Sequence, residues 1–456
     1  MNVFWHQRAL RIPDNRGLAV ATAADTTLPV YLLDDSVLES VGDRQRAVLY
    51  AGLHKLREQY RRHGSDLVIR QGEAVDQLRA ILDEYDAQTV YYNTQYDPVR
   101  RDRQQRVDDG LSTESAVDLA LVDPAALASS YRSHSQFYTD WQTVPKPTPA
   151  TVDTDVLAAV DDETPIPDAE ADIELPEAGY QAARDRYNQF LADGIETYND
   201  TRDDMTGAVA EPVGAVSRLS PYLAAGMIGI REVWADATER YEAANEESVR
   251  RNIDKFRYEL SWREQNYHLL YNNPRLPTEN YKTIPNTIAW RNDPAEFTAW
   301  TRGETGYPLV DAGMRQLDRE GYIHNRPRQN VASFLTKHLL VDWRTGADYF
   351  GEQLIDFDPA NNSANWQWIA STGTDSVDVR IFDPVAQMAK YDDQAVYVTE
   401  YVPELRGVDA KKIVEWPNLS TAERETLAPE YCEPIVDRDA AYERAQRVFT
   451  QALGTS

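Results

Sequence analysis

Over roughly the first 125 residues the chain repeats one pattern, a short β-rich run followed by a helix-length stretch, and no other feature limits its fold so sharply. The runs are Val3-Phe4-Trp5, Leu28 to Leu33, Leu67 to Arg70, Thr89 to Tyr92 and Val117 to Val122. Helical stretches separate them, clearest at Asp43 to His63 and Glu73 to Tyr85. Strands that alternate with helices build a doubly wound, mainly parallel sheet with right-handed crossovers. Such a sheet opens a crevice at the carboxyl ends of its strands.

From Thr151 to Gly179 the composition changes. The segment holds ten acidic residues, no basic ones, and Pro165, Pro167 and Pro176, the signature of a long connection laid over the surface. From about Tyr180 helical patterns dominate to the end. The expected organisation is an α/β domain over 1–130, an acidic interdomain linker over 131–179 and an all-helical domain over 180–456. A chain of 456 residues is long enough for two such cores. No internal repeat of about 20 to 50 residues is evident.

Composition and motif searches exclude several classes. Cys432 is the single cysteine, which rules out a disulfide framework, an iron–sulfur cluster and a multi-thiolate zinc site, and points to a reducing, intracellular setting. No apolar run approaches the roughly 20 residues that span a bilayer, and the start, Met1 to Arg8, is too short and polar for a signal peptide. No Gly-x-Gly-x-x-Gly follows the first strand and no phosphate loop or nucleophile elbow is present. The seven histidines, including His268, His324 and His338, lack His-Glu-x-x-His spacing. The net charge is −28, from 47 basic and 75 acidic residues, and only eight of the basic ones are Lys. Such acidity argues against a nucleic-acid partner unless it serves to hydrate the surface in molar salt. The expected location is therefore a high-salt cytosol.

Tryptophan is the other concentrated feature. Trp262, Trp290, Trp300, Trp343, Trp366 and Trp368 put six of ten in about a quarter of the chain. Over Arg250 to Arg344, 15 Lys and Arg face 11 Asp and Glu, a net of +4 against −32 elsewhere. A large aromatic core explains the rings; a groove where guanidinium groups meet phosphates and rings meet bases explains rings and charge together.

Specific strings go further. Ser217-Arg218-Leu219-Ser220-Pro221-Tyr222-Leu223, Glu259-Leu260-Ser261-Trp262-Arg263-Glu264, and Thr305-Gly306-Tyr307-Pro308 with Asp311, Met314 and Arg315 resemble the photolyase and cryptochrome family. So do His324-Asn325-Arg326, Phe334-Leu335-Thr336-Lys337, Val341-Asp342-Trp343-Arg344, and Asn365-Trp366-Gln367-Trp368 followed by Ser371-Thr372-Gly373-Thr374-Asp375. The opening Phe4 to Arg11, with Asp14-Asn15, is similar to the family's first strand and turn. The resemblance runs through nearly the whole chain in order.

It implies a Rossmann-like α/β antenna domain and an all-helical domain holding FAD in a folded shape. It implies blue-light-dependent DNA repair: excited, fully reduced FAD gives one electron to a cyclobutane pyrimidine dimer flipped out of the DNA, the ring splits, and the electron returns. A badly stacked lesion costs less to extrude than a normal base. Carried over residue by residue, the cofactor contacts are Tyr198, Ser217, Arg218, Leu219, Ser220, Phe256, Arg263, Asn325, Arg328, Asp356, Asp358 and Asn362. Ser217 and Ser220 offer hydroxyls and free amides suited to a pyrophosphate; plain helix capping explains them equally well. Asp356 and Asp358 stand near the ribityl and isoalloxazine, Arg328 pairs with Asp356, and Asn362 faces flavin N5, where an amide donates or accepts. Trp262 and Trp368 pack the dimer, and Asn325 touches both flavin and lesion. Glu259 hydrogen-bonds the pyrimidine edge, protonated in a desolvated pocket. Arg326 and Gln329 face the DNA. Trp366, Trp343 and Trp290 match the tryptophan chain that carries electrons from the surface.

Departures from the family pattern bear on these roles. Val216 removes a hydroxyl beside Ser217, Phe256 stands for a common Trp, and Ala9 interrupts an Arg-Asp-Leu-Arg string. Gln329, followed by Asn330-Val331-Ala332-Ser333, is similar to the DASH cryptochromes that prefer single-stranded DNA. Ser376-Val377-Asp378-Val379 precedes Arg380-Ile381-Phe382 where relatives have a more aromatic run. The rival reading is a cryptochrome-type FAD photoreceptor. Glu259, Trp262, Asn325 and Trp368 favour repair over signalling, as does the short stretch to Ser456 after a last helix over Ala440 to Leu453. Repair of the (6-4) lesion would require His-His where the chain has His324-Asn325. An antenna pigment, whether folate, deazaflavin or flavin, finds a candidate crevice along Tyr131 to Trp141 and Phe4 to Arg8. The expected partner is UV-damaged DNA, bound by a monomer with no membrane attachment.

Overall fold

The computed structural model describes residues 1–210, 215–375 and 379–454; the departure at Ser376, Val377 and Asp378 lies outside the described residues. Strands β1 (Asn2–His6), β2 (Thr27–Leu33), β3 (Val68–Gln71), β4 (Thr89–Asn93) and β5 (Thr113–Ala116) form one parallel sheet in the order β3-β2-β1-β4-β5. Val3 pairs with Leu28 on one side and Val90 on the other. Every residue of β1 and β2 is buried. Both faces are covered, which is why these strands read as continuous apolar runs instead of alternating ones. The crossovers are α1 (Arg16–Ala24), α2 (Asp43–Arg62), α3 (Ala74–Glu84) and α4 (Pro98–Gly110). Asn15, Glu73 and Asp97 cap α1, α3 and α4 with side-chain oxygens.

The fifth strand is Thr113–Ala116, not the expected Val117 to Val122. An edge strand, largely open to solvent, needs no apolar run. Leu119 to Val122 are buried for a different reason: the amides of Leu121 and Val122 donate to the buried carboxylate of Glu264 at 2.9 and 3.1 Å. Their backbone groups are satisfied by a side chain instead of a ladder.

The chain divides into two compact units, Met1–Glu196 with Arg218–Arg275 and Ile355–Ala360, and Thr197–Ser217 with Leu276–Leu354 and Asn361–Ser456. These differ from the expected boundaries at 130 and 179. Helices α5 (His134–Thr143), α6 (Tyr180–Asp193), α7 (Ser220–Ala225), α8 (Ile230–Ala243) and α9 (Glu247–Asn272) all belong with the sheet. Composition marks where a chain changes character, not which helices pack together. The acidic stretch answers particular arginines: Asp162 pairs with Arg57 at 2.9 Å and Arg70 at 2.7 Å, and Asp172 with Arg44 at 2.8 Å. Deeper in the same unit Arg11 and Arg231 meet Asp118, and Arg231 meets Asp14, at 2.5 to 2.8 Å with all four side chains nearly solvent-free. Burial alone would raise the Asp118 carboxyl, but the two guanidinium groups bring it down to about 2.

The second unit is helical over its described residues. Its longer elements are α10 (Pro294–Thr301), α11 (Pro308–Glu320), α12 (Asn325–Ser333), α13 (Trp343–Gln353), most of α14 (Pro359–Ala370), α15 (Pro384–Tyr391) and α16 (Arg438–Leu453). Pro308 opens α11 and Gly321, at φ 58°, closes it. Helix α12 widens into a π-turn over Phe334–His338. That turn buries Lys337, whose ammonium donates to Ser371 Oγ at 2.8 Å and lies 3.4 Å from the centre of the Phe449 ring. Among the described residues no helix is long and apolar enough to cross a membrane.

Candidate active site

Helix α9 carries the first group of expected residues. Its 26 residues contain no Gly or Pro, and it stops before Pro274, which disfavours a helical residue ahead of it. Phe256, 4% exposed, packs against the rings of Tyr187 and Phe190. Glu259 and Trp262, one turn apart, are partly exposed. Glu259 is ion-paired with Lys255 at 2.6 Å and 28% exposed, so its carboxylate stands at the surface and is not enclosed in a desolvated pocket as expected. Trp262 lies face to face with His134. Arg263 donates to Leu119 O at 2.8 Å and to Tyr267 OH at 3.2 Å, with its guanidinium over the Tyr267 ring.

The same unit holds Asp358 in a closed polar cluster. Arg8 Nη2 lies 2.5 Å and Tyr267 OH 2.6 Å from Asp358 Oδ2. Burial would push this carboxyl up, but the adjacent Arg8, helped by Arg263, holds it well below the usual carboxylate range. Burial also raises the Tyr267 phenol to about 12. The side chain thus stands as a fixed anion fed by two donors. Arg8 and Tyr267 were not among the expected contacts; Arg8 stands in the first-strand string, 350 positions from its partner. Asp356 is 8% exposed. Helix α7 starts at Ser220 with Leu219 at the cap position and no side-chain cap, and Arg218 ahead of it takes the left-handed backbone at φ 47°. Ser220 is therefore not a capping residue here.

The second unit holds the remaining expected residues. Tyr198 opens a short helix over Tyr198–Thr201, and Ser217 is half-buried. At the start of α12, capped by His324, Asn325 is exposed. Arg326 is not free: Nε donates to Asp203 Oδ1 at 2.7 Å, Nη2 to Asp203 Oδ2 at 2.5 Å and Nη1 to Gln329 Oε1 at 3.1 Å. Burial alone would raise the Asp203 carboxyl, yet this fork lowers it. Gln329 thus has a local task, accepting from Arg326. Arg328 lies 5.7 Å over the ring of Phe350. Asn362 donates through Nδ2 to Ala347 O at 3.0 Å, which leaves Oδ1 and a second N–H for a neighbour. Arg380 lies over Trp368 at 4.6 Å and is held there by Asp375.

The three tryptophans of the expected electron chain lie in this unit. Trp366 is 3% exposed and packs against Phe350 and Trp300. Trp343 is fully buried and donates to Asn280 Oδ1 at 2.9 Å. Gly346, one turn along α13 from Trp343, leaves room for Trp366: a Cβ there would meet its ring at 2.3 Å. Trp290 is partly exposed, edge-on to Phe449, and the next amide, Arg291 N, donates to Leu340 O at 2.7 Å, just ahead of Trp343. Burial falls from the first two rings to the third. Trp300, fully buried against Trp366, belongs to the same cluster and was expected only as part of the aromatic concentration.

The antenna expectation shifts. Phe4, Trp5 and His6 are inside the sheet core at 0 to 1% exposure. At the carboxyl ends of β1 and β4, where the strand order reverses, Gln7 Nε2, Gln95 Oε1 and Tyr96 OH are buried with no hydrogen-bond partner. Along Tyr131 to Trp141, Tyr131 meets the rings of Phe137 and His268.

One unit joins a parallel α/β sheet to the fixed carboxylate of Asp358, and the other is helical with a buried tryptophan cluster, a two-part architecture. Residues 2–153 match the model of the DNA photolyase family and residues 256–451 that of the FAD-binding domain of DNA photolyase. A deoxyribodipyrimidine photo-lyase of Halobacterium salinarum is 41% identical over the full length of both chains. The crystal structure of a class III photolyase from Agrobacterium tumefaciens superposes with TM-score 0.87 at 33% identity, covering 100% of this chain and 98% of that one. An archaeal photolyase from Sulfolobus tokodaii, solved with two FAD molecules, gives 0.83 at 29% identity over 99% and 100% of the two chains. The chain belongs to the DNA photolyase family.

Proposed function

We propose that the protein is a light-driven DNA repair enzyme, a carbon–carbon lyase that splits cyclobutane pyrimidine dimers. The observation that carries this reading is the presentation of Glu259 and Trp262, one turn apart and partly exposed, on a helix whose other side is buried. When bound, reduced FAD would supply on excitation the electron that opens the cyclobutane ring and would take it back once the ring has split. In the first unit Arg218, Leu219, Ser220, Phe256, Arg263, Asp356 and Asp358 are the cofactor contacts. The Arg8–Asp358–Tyr267 cluster fits that role, because a carboxylate held ionised presents a fixed acceptor. In the second unit Tyr198, Ser217, Asn325, Arg328 and Asn362 are the cofactor contacts, and the Oδ1 and second N–H of Asn362 suit a ring nitrogen. Trp262 and Trp368 stack on the lesion, Glu259 and Asn325 hydrogen-bond it, and Arg326 with Gln329 faces the strand. On lesion binding Glu259 exchanges Lys255 for the pyrimidine edge. Trp366, Trp343 and Trp290 would carry electrons from a reductant at the surface to oxidised cofactor, and the outward fall in burial supports that direction.

The enzyme acts as a monomer in a high-salt cytosol on UV-damaged DNA, with Gln329 favouring single strands. A planar second chromophore binds at the carboxyl ends of β1 and β4, where the unpartnered Gln7 Nε2 and Gln95 Oε1 offer it hydrogen bonds. The test is loss of cyclobutane dimers from single- and double-stranded oligonucleotides under blue light, in high-salt buffer, with photoreduced protein and a dark control. Repair supports the reading; a bound, photoreducible flavin without repair overturns it in favour of a light sensor.

A further inference from the structure

We propose that His134 is the positioning residue of Trp262, holding that ring as a preset stacking surface for the flipped dimer. The inference rests on the reading of Trp262 as a lesion contact. The two rings lie 3.7 Å apart between centroids and 8° from parallel, closer and flatter than most aromatic pairs. Two hydrogen bonds fix the imidazole. Its Nε2 lies 2.9 Å from Ser261 Oγ and its Nδ1 3.0 Å from Tyr258 OH. The Ser261 hydroxyl donates to Tyr258 O at 2.7 Å, so Ser261 Oγ accepts from the ring. That places the proton on Nε2 and leaves Nδ1 to accept from the Tyr258 phenol.

Both partners stand on α9, within four residues of Trp262. The imidazole cannot rotate without losing two hydrogen bonds, and Trp262 cannot tilt without leaving the imidazole face. Tyr258 closes the edge of the imidazole at 4.8 Å, and Tyr138 lies nearly parallel to it at 5.9 Å. Burial, with Lys255 nearby, lowers the imidazole to about 4. At neutral pH the surface behind Trp262 is therefore flat and uncharged. A side chain fixed in advance avoids the ordering cost of binding, which for a free side chain amounts to roughly 3- to 10-fold in affinity. His134 lies in the stretch expected as linker and as candidate antenna lining, and no motif marks it as a lesion-site residue.

The experiment measures affinities of flavin-loaded His134→Leu, His134→Phe and Trp262→Ala proteins for dimer-containing and undamaged oligonucleotides, together with the repair yield at saturating lesion. Leucine keeps volume but removes the flat face and both hydrogen bonds. Dimer affinity should fall roughly 3- to 10-fold in His134→Leu. Affinity for undamaged strands and repair yield at saturation should hold, and His134→Phe, which keeps the flat face without the hydrogen bonds, should recover part of the lost dimer binding. Wild-type dimer affinity in His134→Leu, or equal weakening for damaged and undamaged strands, overturns the proposal. Trp262→Ala separates the two readings: if it too binds the dimer normally, the lesion role of Trp262 falls, whereas if it weakens binding while His134→Leu does not, only the positioning role falls.

Discussion

The guanidinium of Arg326 is engaged on three sides, by both oxygens of Asp203 and by Gln329, and this decides how it meets DNA. A cation already neutralised by a carboxylate attracts phosphate weakly, and molar salt screens what remains. Stacking by Trp262 is not screened. Trp262→Ala should therefore cost about 10- to 100-fold in dimer affinity at high salt, and Arg326→Ala much less, by fluorescence anisotropy; the reverse ranking would refute this. Asp203→Asn frees the guanidinium. It should tighten binding to undamaged strands at low salt and steepen the slope of log affinity against log salt by about 0.7 to 0.9. The sequence singles out Arg326 as a cation expected to face nucleic acid. It does not reveal the partner, which lies 123 positions away. The same holds for Arg8 with Asp358 and for His134 with Trp262: the residue types are legible, and pairings that only the fold creates are not.

At the scale of elements, the first four strands and their helices were readable because strands covered on both faces must be apolar throughout. The fifth was misplaced because an edge strand carries no such mark, while the apolar run after it is buried by Glu264. The π-turn over Phe334–His338 had no signal either, since its sequence suits an α-helix. Helix α13, which begins at Trp343, takes the Trp366 ring against it through the missing side chain of Gly346. Gly346→Ala should push the Trp366 ring aside, lower stability by about 1 to 3 kcal/mol and slow flavin photoreduction; thermal melts and transient absorption measure the two effects. Trp343→Phe should stop photoreduction of the oxidised flavin yet allow repair by protein reduced chemically beforehand. Repair that failed under both conditions would remove Trp343 from the reduction chain and place it in the repair step itself.

For the whole molecule, acid is the revealing condition. Burial lowers His6 from 6.5 to about 3 and His338 from 6.5 to about 4. Between those values and 6.5 the unfolded chain takes up protons that the folded chain refuses, so stability falls as pH drops. Each of the two contributes up to about 1.4 kcal/mol per pH unit. Asp392, raised by burial to about 6, binds its proton more tightly when folded and softens the slope between 3.8 and 6. The Asp118 contribution is lost last, between 3.8 and about 2. Denaturation midpoints should decline from pH 6.5 downward, and a flat profile to pH 4 would contradict this account.

Neither compact unit is a continuous length of chain. The unit that contains the sheet takes its last residues from Ile355–Ala360, and with them Asp358, the partner of Arg8. A ribosome adding about 5 to 20 residues per second exposes these residues only after some 20 to 70 s of synthesis. Until then Arg8 stands in the nascent chain without its carboxylate. Nor can a protease or a truncation at the expected boundary near residue 180 yield a self-sufficient half. Order of manufacture and order of completion are uncoupled in this protein: the first segment made is among the last to be finished.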